Sequence, residues 1–179
     1  MRRAVDAARV RALLEELGQL TREPTTVYLV GGASAVVEGW RSTTIDVDLR
    51  IEPERDELLR ALPSIKERLK LNIELASPAD FLPELPDWRE RSPYVEQVGT
   101  VVVRHFDFYA QALAKLERNL GADRTDVEAM VVRGLVDPER LRTLLADVEP
   151  QLYRFPAVDG PALRAAVERL VARPPEARD

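Results

Sequence analysis

The sequence contains no cysteine and a single histidine, His105, and both shortages exclude kinds of chemistry. Without cysteine the chain cannot build a disulfide framework, a thiolate zinc site or a cysteine nucleophile. One histidine excludes a mechanism with two catalytic histidines, and a multi-histidine metal site would need a partner chain. Lysine is scarce as well, because only three of the 26 basic residues are lysines. A lysine inside a motif is therefore more informative here than in an average sequence.

A large excess of charge and a long apolar run are also absent. The 26 basic and 31 acidic residues give a net charge of −5, so no domain-wide basic field indicates nucleic-acid binding. A local basic groove is still compatible with this mixed charge. No apolar run reaches the roughly 20 residues that span a bilayer, and the N-terminal stretch lacks the apolar region of a signal peptide. We therefore expect a cytoplasmic protein with no membrane association.

The remaining composition is that of a globular protein. With 179 residues, of which 45% are apolar and 32% charged, we expect one domain, or one domain with a small appendage. Hydrophobic periodicity predicts an N-terminal helix, a mixed α/β half and then an all-helical half, which makes the fold class α+β. The predicted domains are an α/β core at 1–106 and a helical subdomain at 107–173, followed by a frayed tail at 174–179.

The predicted elements follow from apolar spacing and from capping residues. Helices are predicted at residues 4–20, 33–38, 53–69, 108–120, 123–133, 138–148 and 162–172. Strands are predicted at residues 27–30, 45–51, 71–75 and 99–104. Pro63 should bend or interrupt the third helix. Residues 77–98 carry four prolines and are predicted to form a long ordered loop, which is often a functional feature.

Two acidic residues alternate with apolar residues in the predicted strand 45–51. Because residues i and i+2 of a strand point to the same face, the carboxylates of Asp46 and Asp48 should lie side by side. Such carboxylates repel each other, and a divalent cation removes that repulsion. Mg²⁺ is commonly held by one or two carboxylates together with substrate phosphates. The pair therefore predicts a Mg²⁺ or Mn²⁺ site; the alternative is two exposed strand carboxylates.

A glycine pair follows the predicted strand 27–30 and precedes a short predicted helix. Glycines let a phosphate approach the backbone, and the N–H groups at the start of a helix favour an anion. Gly31 and Gly32, with the hydroxyl of Ser34, are therefore predicted to contact a phosphate. A phosphate cradle beside a cation pair is what phosphoryl or nucleotidyl transfer requires.

Two further side chains are candidates for the same site. Glu74, on the next predicted strand, would be a third acid that binds a metal ion or deprotonates an attacking hydroxyl; the alternative is a solvated strand face. Arg41 precedes the acidic strand and is predicted to face substrate phosphate, with a surface loop arginine as the alternative. His105 is interpreted as a structural histidine, and a substrate contact is the other possibility.

These motifs resemble the nucleotidyltransferase superfamily of the DNA polymerase β type. The matching residues are the Gly31-Gly32 turn, the acid-apolar-acid strand Asp46-Val47-Asp48 and the later acid Glu74. A finer resemblance is to the bacterial minimal nucleotidyltransferases that include the AbiEii/AbiGii-type toxins, in which a helical lysine precedes an Asp-x-x-Asp pattern. Lys115 and the run from Asp123 to Asp126 match those features. The resemblance covers roughly residues 27–132.

The resemblance implies a role for each matching residue. Asp46, Asp48 and Glu74 would bind Mg²⁺ or Mn²⁺ and, with Lys115, form the catalytic set. Lys115 would neutralise phosphate charge or position the nucleotide, and Asp126 would hold Lys115 or contact the base or sugar.

Proteins of this kind move a nucleoside monophosphate from an NTP such as ATP to an acceptor. The acceptor is often a tRNA 3′ end or a protein hydroxyl, and many members are toxins with a cognate antitoxin. Ala122 stands where the toxin-like pattern usually has lysine, and the glycine turn is altered. These departures motivate an alternative function, a silent module that binds a nucleotide or a partner without turnover. The oligomeric state is left open.

Overall fold

The computed structural model describes residues 4–173 of the chain, and the predicted frayed tail at 174–179 lies outside the described residues. The chain divides into two compact units. Among the described residues, the first unit contains 4–77 and 92–106, and the second contains 78–91 and 107–173. Residues 78–91, which lie inside the predicted domain 1–106, thus belong to the second unit. No helix within the described part of the chain has the length and apolar character to cross a membrane.

One mixed five-stranded sheet forms the centre of the first unit. Its strands are β1 (Thr25–Val30), β2 (Asp46–Glu52), β3 (Asn72–Leu75), β4 (Tyr94–Val98) and β5 (Val101–His105), in the order β3-β2-β1-β5-β4. β1 is antiparallel to β2 and parallel to β5, whereas β3 is parallel to β2 and β4 is antiparallel to β5. Helices accompany this sheet, so the predicted α+β class with a small mixed sheet is confirmed.

Three helices belong to the first unit: α1 (Ala7–Leu20), α2 (Gly31–Glu38) and α3 (Asp56–Leu69). α1 begins at residue 7, later than predicted, because the Asp6 side chain caps it by accepting a hydrogen bond from the Arg9 amide at 2.9 Å. α3 begins at residue 56 and continues to Leu69 with Pro63 inside it, so the proline does not interrupt the helix.

The two faces of the sheet differ sharply in polarity. Along β2, Val47, Leu49 and Ile51 are buried, whereas the alternating polar residues from Asp46 to Glu52 are only half-buried. The apolar face shares one core with the buried leucines of α1 and α3. Burial of the apolar face fixes which side of β2 carries the acids, because a one-residue shift would exchange the two sets of side chains.

The second unit is helical. Its helices are α4 (Trp88–Arg91), α5 (Phe108–Arg118), α6 (Gly121–Val132), α7 (Pro138–Val148) and α8 (Gly160–Val171), with 3₁₀ turns at Pro78–Asp80 and Glu149–Arg154. Asp137 caps α7 as its sequence predicts, accepting from the Arg140 amide at 2.8 Å before a proline at the first helical position. α6 begins at Gly121, two residues before the predicted start.

The prediction of a loop at 77–98 is wrong over its second half. Residues 88–91 form α4, and residues 94–98 form β4. β4 escaped prediction because it is an edge strand with one partner, β5, and because its register is irregular between Tyr94 and Glu96. Tyr94 is exposed, so the strand shows little apolar alternation. The hairpin turns at Gly99, whose φ of +59° favours glycine.

The connection between α2 and β2 packs tightly against the start of α2. Thr44 exchanges two backbone hydrogen bonds of 2.8 Å with Val5, in an isolated antiparallel bridge. A Cβ atom on Gly32 would lie 2.0 Å from Thr44 Oγ1 and 2.8 Å from Thr44 Cβ. Gly32 is therefore a glycine because Thr44 occupies the space that a side chain would need.

We expect Gly32→Ala to lower the free energy of unfolding by about 1–3 kcal/mol, because the added methyl group overpacks against a threonine that the Val5 bridge holds in place. Urea unfolding at neutral pH measures this. Gly121→Ala is the matched control, since nothing lies within 4 Å of a Cβ at that position. Equal stability of the two variants would contradict the packing argument.

Candidate functional site

The polar face of β2 places the two predicted metal ligands next to each other. Asp46 and Asp48 are both half-buried, and Val47 between them is fully buried on the opposite face. In the register of the sheet, Asp48 pairs with Val30 of β1 on one side and with Glu74 of β3 on the other. The three predicted acids therefore occupy one face of two adjacent strands, which we call the acid face.

Asn72 is a member of the acid face that the sequence motifs did not single out. It pairs with Asp46 in the register of β2 and β3. Its side-chain amide donates to Asp46 Oδ1 at 2.7 Å and to Glu74 Oε1 at 3.1 Å. The available signal was the alternation of β3, because Asn72 and Glu74 are two residues apart and thus point to the same face.

The acid face carries hard oxygen ligands, the kind that Mg²⁺ binds. Within residues 4–173 no group of three or more histidine, aspartate or glutamate side chains is arranged to hold a metal ion. Asp46 and Asp48 supply two hard oxygen ligands on one face, and Mg²⁺ typically uses one or two carboxylates with substrate phosphates and water. The metal-binding roles of Asp46, Asp48 and Glu74 stay predictions.

The glycine turn lies directly beside the acid face. α2 begins at Gly31, immediately after β1, without a side-chain cap. Gly31 has a φ of +56°, and a Cβ at this position would lie 3.1 Å from Asp48 Oδ2. A side chain here would be strained and would crowd the carboxylate, so the residue is glycine for two reasons. The start of α2 and the carboxylate of Asp48 are therefore close neighbours, as a phosphate cradle next to a cation requires.

Ser34 and His105 lie on the other side of the sheet from the acid face. Both are buried, and Ser34 Oγ is 2.7 Å from His105 Nδ1, while His105 Nε2 is 3.2 Å from Glu38 Oε2. Burial lowers the pKa of His105 to about 4, so the imidazole is neutral at pH 7. A neutral ring with its proton on Nε2 donates to Glu38 and accepts from the Ser34 hydroxyl.

This arrangement supports the structural interpretation of His105, which fastens α2 to β5. It favours a structural role for Ser34 as well, since the hydroxyl is fully buried and bonded to the imidazole. The predicted contact of Ser34 with phosphate stays a prediction. Arg41 is half-buried in the connection after α2, and its amide donates to the Ala35 carbonyl at 3.2 Å. Its predicted role toward phosphate likewise stays a prediction.

The predicted lysine and its two aspartates form a buried ionic cluster in the second unit. Lys115 Nζ lies 2.6 Å from Asp126 Oδ2 and 3.6 Å from Asp123 Oδ1. Arg118 adds two hydrogen bonds to Asp123, at 2.6 and 2.9 Å. Burial acts to raise the pKa of Asp123, but the hydrogen bonds from Arg118 and the charge of Lys115 outweigh it and lower the pKa below its usual value. The cluster therefore joins α5 to α6 through paired charges.

Comparison with known proteins places these features in a family. A family model described as nucleotidyltransferase of unknown function (DUF6036) matches residues 8–158 of the chain. A solved structure described as an antigenic nucleotidyltransferase-like protein from Paracoccidioides brasiliensis is similar, with a TM-score of 0.50 and 15% sequence identity over 93% of this chain and 95% of that chain. At this identity the likeness concerns the fold alone. No curated protein matches the sequence.

We expect His105 to destabilise the folded state as the pH falls from about 6.5 to about 4. In this range the unfolded chain binds a proton at an ordinary histidine, whereas the folded chain does not, so the free energy of unfolding decreases with falling pH. The loss is at most about 3 kcal/mol. Urea unfolding of the wild type and of His105→Gln at several pH values isolates the contribution of His105, because the carboxylates titrate in both proteins. Identical pH dependence in the two proteins would refute the assignment.

We expect Lys115→Met to destabilise the protein by about 3–5 kcal/mol, because it leaves the buried Asp126 carboxylate without its closest cation. Lys70→Met, at an exposed lysine, is the control and should leave stability unchanged. Adding Asp126→Leu to Lys115→Met should restore most of the loss. Additive losses in the double variant, measured by urea unfolding, would contradict the pairing.

Proposed function

We propose that this chain, which belongs to the family described as nucleotidyltransferases of unknown function, is a metal-dependent nucleotidyltransferase. It moves a nucleoside monophosphate from an NTP such as ATP to an acceptor hydroxyl. The observation that carries this proposal is the closeness of Gly31 to Asp48. A Cβ atom on the glycine would lie 3.1 Å from the carboxylate oxygen Asp48 Oδ2. A backbone able to approach phosphate thus adjoins a carboxylate pair able to hold a cation.

The reaction requires little covalent chemistry from the protein. The oxygen of the acceptor hydroxyl attacks the α-phosphorus, a new P–O bond forms, and the bond from that phosphorus to the bridging oxygen breaks as pyrophosphate leaves. The hydroxyl proton passes to a base, for which Glu74 is the candidate on the acid face. A Mg²⁺ or Mn²⁺ ion at the carboxylates would neutralise the charge that develops on the phosphate oxygens. Asp46 and Asp48 would hold that ion, and the glycine turn would orient the triphosphate.

The proposal also extends to the acceptor and to the biological role. The resemblance to AbiEii/AbiGii-type toxins assigns Lys115 to the nucleotide and Asp126 to holding the lysine. The 2.6 Å ion pair between these side chains supports the second assignment. On this basis we propose an RNA acceptor, the tRNA 3′ end, and a toxin whose partner is a cognate antitoxin. A protein hydroxyl is the alternative acceptor, and label transfer distinguishes it from RNA.

The test is transfer of label from each of four α-labelled NTPs, with Mg²⁺ and total tRNA. We expect labelled RNA with the wild type, and at least about 100-fold less with Asp48→Asn, because the carboxylate that holds the cation is lost. Asp56→Asn changes the same chemical group at an exposed position and should leave transfer unchanged.

Undiminished transfer by Asp48→Asn would reject the assignment of the acid face. Label in protein and not in RNA would move the acceptor to a protein hydroxyl. Absence of transfer with every NTP and acceptor, accompanied by saturable NTP binding, would establish the silent nucleotide-binding module in place of an enzyme.

A further inference from the structure

A neutral side chain lies between two of the three acids on the acid face. One nitrogen, Asn72 Nδ2, is within hydrogen-bond distance of both Asp46 Oδ1 (2.7 Å) and Glu74 Oε1 (3.1 Å). Carboxylates only accept hydrogen bonds, so the amide group must turn its NH₂ end, and not its oxygen, toward them. The two amide hydrogens thereby serve two carboxylates on neighbouring strands.

We propose that Asn72 is a positioning residue that divides the acids by role. It orients Asp46 for a cation shared with Asp48, and it holds Glu74 outside that cation site, where Glu74 serves the acceptor hydroxyl. This inference rests on the proposed nucleotidyl transfer and assigns the acids more narrowly than the sequence motifs did, since those gave Glu74 a metal-binding role as well.

The geometry supports the division. Asp46 Oδ1 and Glu74 Oε1 both accept from the Asn72 amide, so a cation held by these two oxygens would have to take the place of that amide. Asp46 and Asp48 are left as the pair that shares a strand, a face and the neighbouring glycine turn.

The backbone around Asn72 is fastened well enough to make the amide a fixed donor. Lys70 ends α3 with a φ of +53°, and the Leu71 amide donates to the Lys66 carbonyl at 3.1 Å. The Arg9 guanidinium donates to the carbonyls of Leu69 and Lys70, at 2.7 and 3.0 Å. These bonds hold the turn that delivers Asn72 to the start of β3, so the position of its amide is set by α1 and α3 together.

Side chains that orient metal ligands commonly affect metal affinity by about 10–100-fold. We therefore expect Asn72→Ala to weaken Mn²⁺ binding by about 10–100-fold, measured by electron paramagnetic resonance with MnCl₂ alone. Asn72→Asp keeps the shape of the side chain but replaces the donor with a third carboxylate, so it should bind Mn²⁺ more tightly than the wild type. Label transfer should fall in both variants, and more Mn²⁺ should restore it in Asn72→Ala alone.

Two further variants test the division of roles. Asp46→Asn should weaken Mn²⁺ binding, whereas Glu74→Gln should leave it unchanged while transfer falls. The matched control is Asn119→Asp, which makes the same chemical change at an exposed asparagine whose oxygen accepts from Arg124. It should alter neither Mn²⁺ binding nor transfer. Thermal unfolding of each variant identifies losses that come from misfolding.

The outcomes distinguish failure of this inference from failure of the proposed function on which it rests. If Asp46→Asn weakens Mn²⁺ binding and Asn72→Ala does not, the positioning role is wrong and the proposed function stands. If Glu74→Gln weakens binding as much as Asp46→Asn, the division of the acids is wrong. If Asn72→Ala and Asn72→Asp shift Mn²⁺ affinity in the same direction, the residue has a structural role only. If the wild type binds Mn²⁺ no better than Asp46→Asn, the cation site fails and this inference fails with it.

Discussion

The placement of Asp46 and Asp48 on one face of β2 is the constraint on which the acid face depends. The two carboxylates are two residues apart on a strand whose alternate side chains, Val47 and Leu49, are fully buried on the opposite face. The strand cannot turn one carboxylate away without exposing the core, so both charges stay on one face. Asn72 supplies an amide hydrogen bond to one of these carboxylates, so the neighbouring strand β3 takes part in fixing the geometry of the face.

Buried contacts on the opposite side of the sheet hold α2 in position next to the acid face. The Ser34–His105 hydrogen bond and the contact of His105 with Glu38 tie α2 to β5. Thr44 packs against Gly32 and is itself paired with the N-terminal segment. Since Gly31 opens the same helix, these contacts also determine how closely the glycine turn approaches Asp48. Buried residues can in this way fix the geometry of the candidate site.

The second unit buries charges of both signs. Lys115, Asp123 and Asp126 are all buried, and each charge faces an opposite charge within 4 Å. Removing buried charges from water is costly, so such a cluster adds little net stability, but deleting one partner leaves another uncompensated. The cluster therefore restricts how α5 and α6 can pack more than it strengthens their packing. Buried motif residues such as Lys115 and Asp126 can therefore still determine how the two helices are placed against each other.

Local patterns in the sequence were enough for the features that depend on neighbouring residues. The alternation around Asp46 and Asp48 predicted one shared face, because the period of a strand is set by its own backbone. Asp137 and Pro138 predicted the start of α7 for a similar reason, since a cap acts within one turn of helix. The edge strand β4 was missed because its pairing with β5, and not its own pattern, makes it a strand.

Only the tertiary structure decided which of these residues meet. The register of β2 against β3 puts the Asn72 amide between Asp46 and Glu74, and the placement of β5 buries Ser34 against His105. The contact of Asn72 with Asp46 joins residues 26 positions apart and that of Ser34 with His105 joins residues 71 positions apart, so neither follows from spacing along the chain. The sequence by itself predicted the candidate acids and the face of the strand on which they lie. The packing of the core against α1 and α3 decided which side chains these residues contact, because it sets the register and position of whole strands at once.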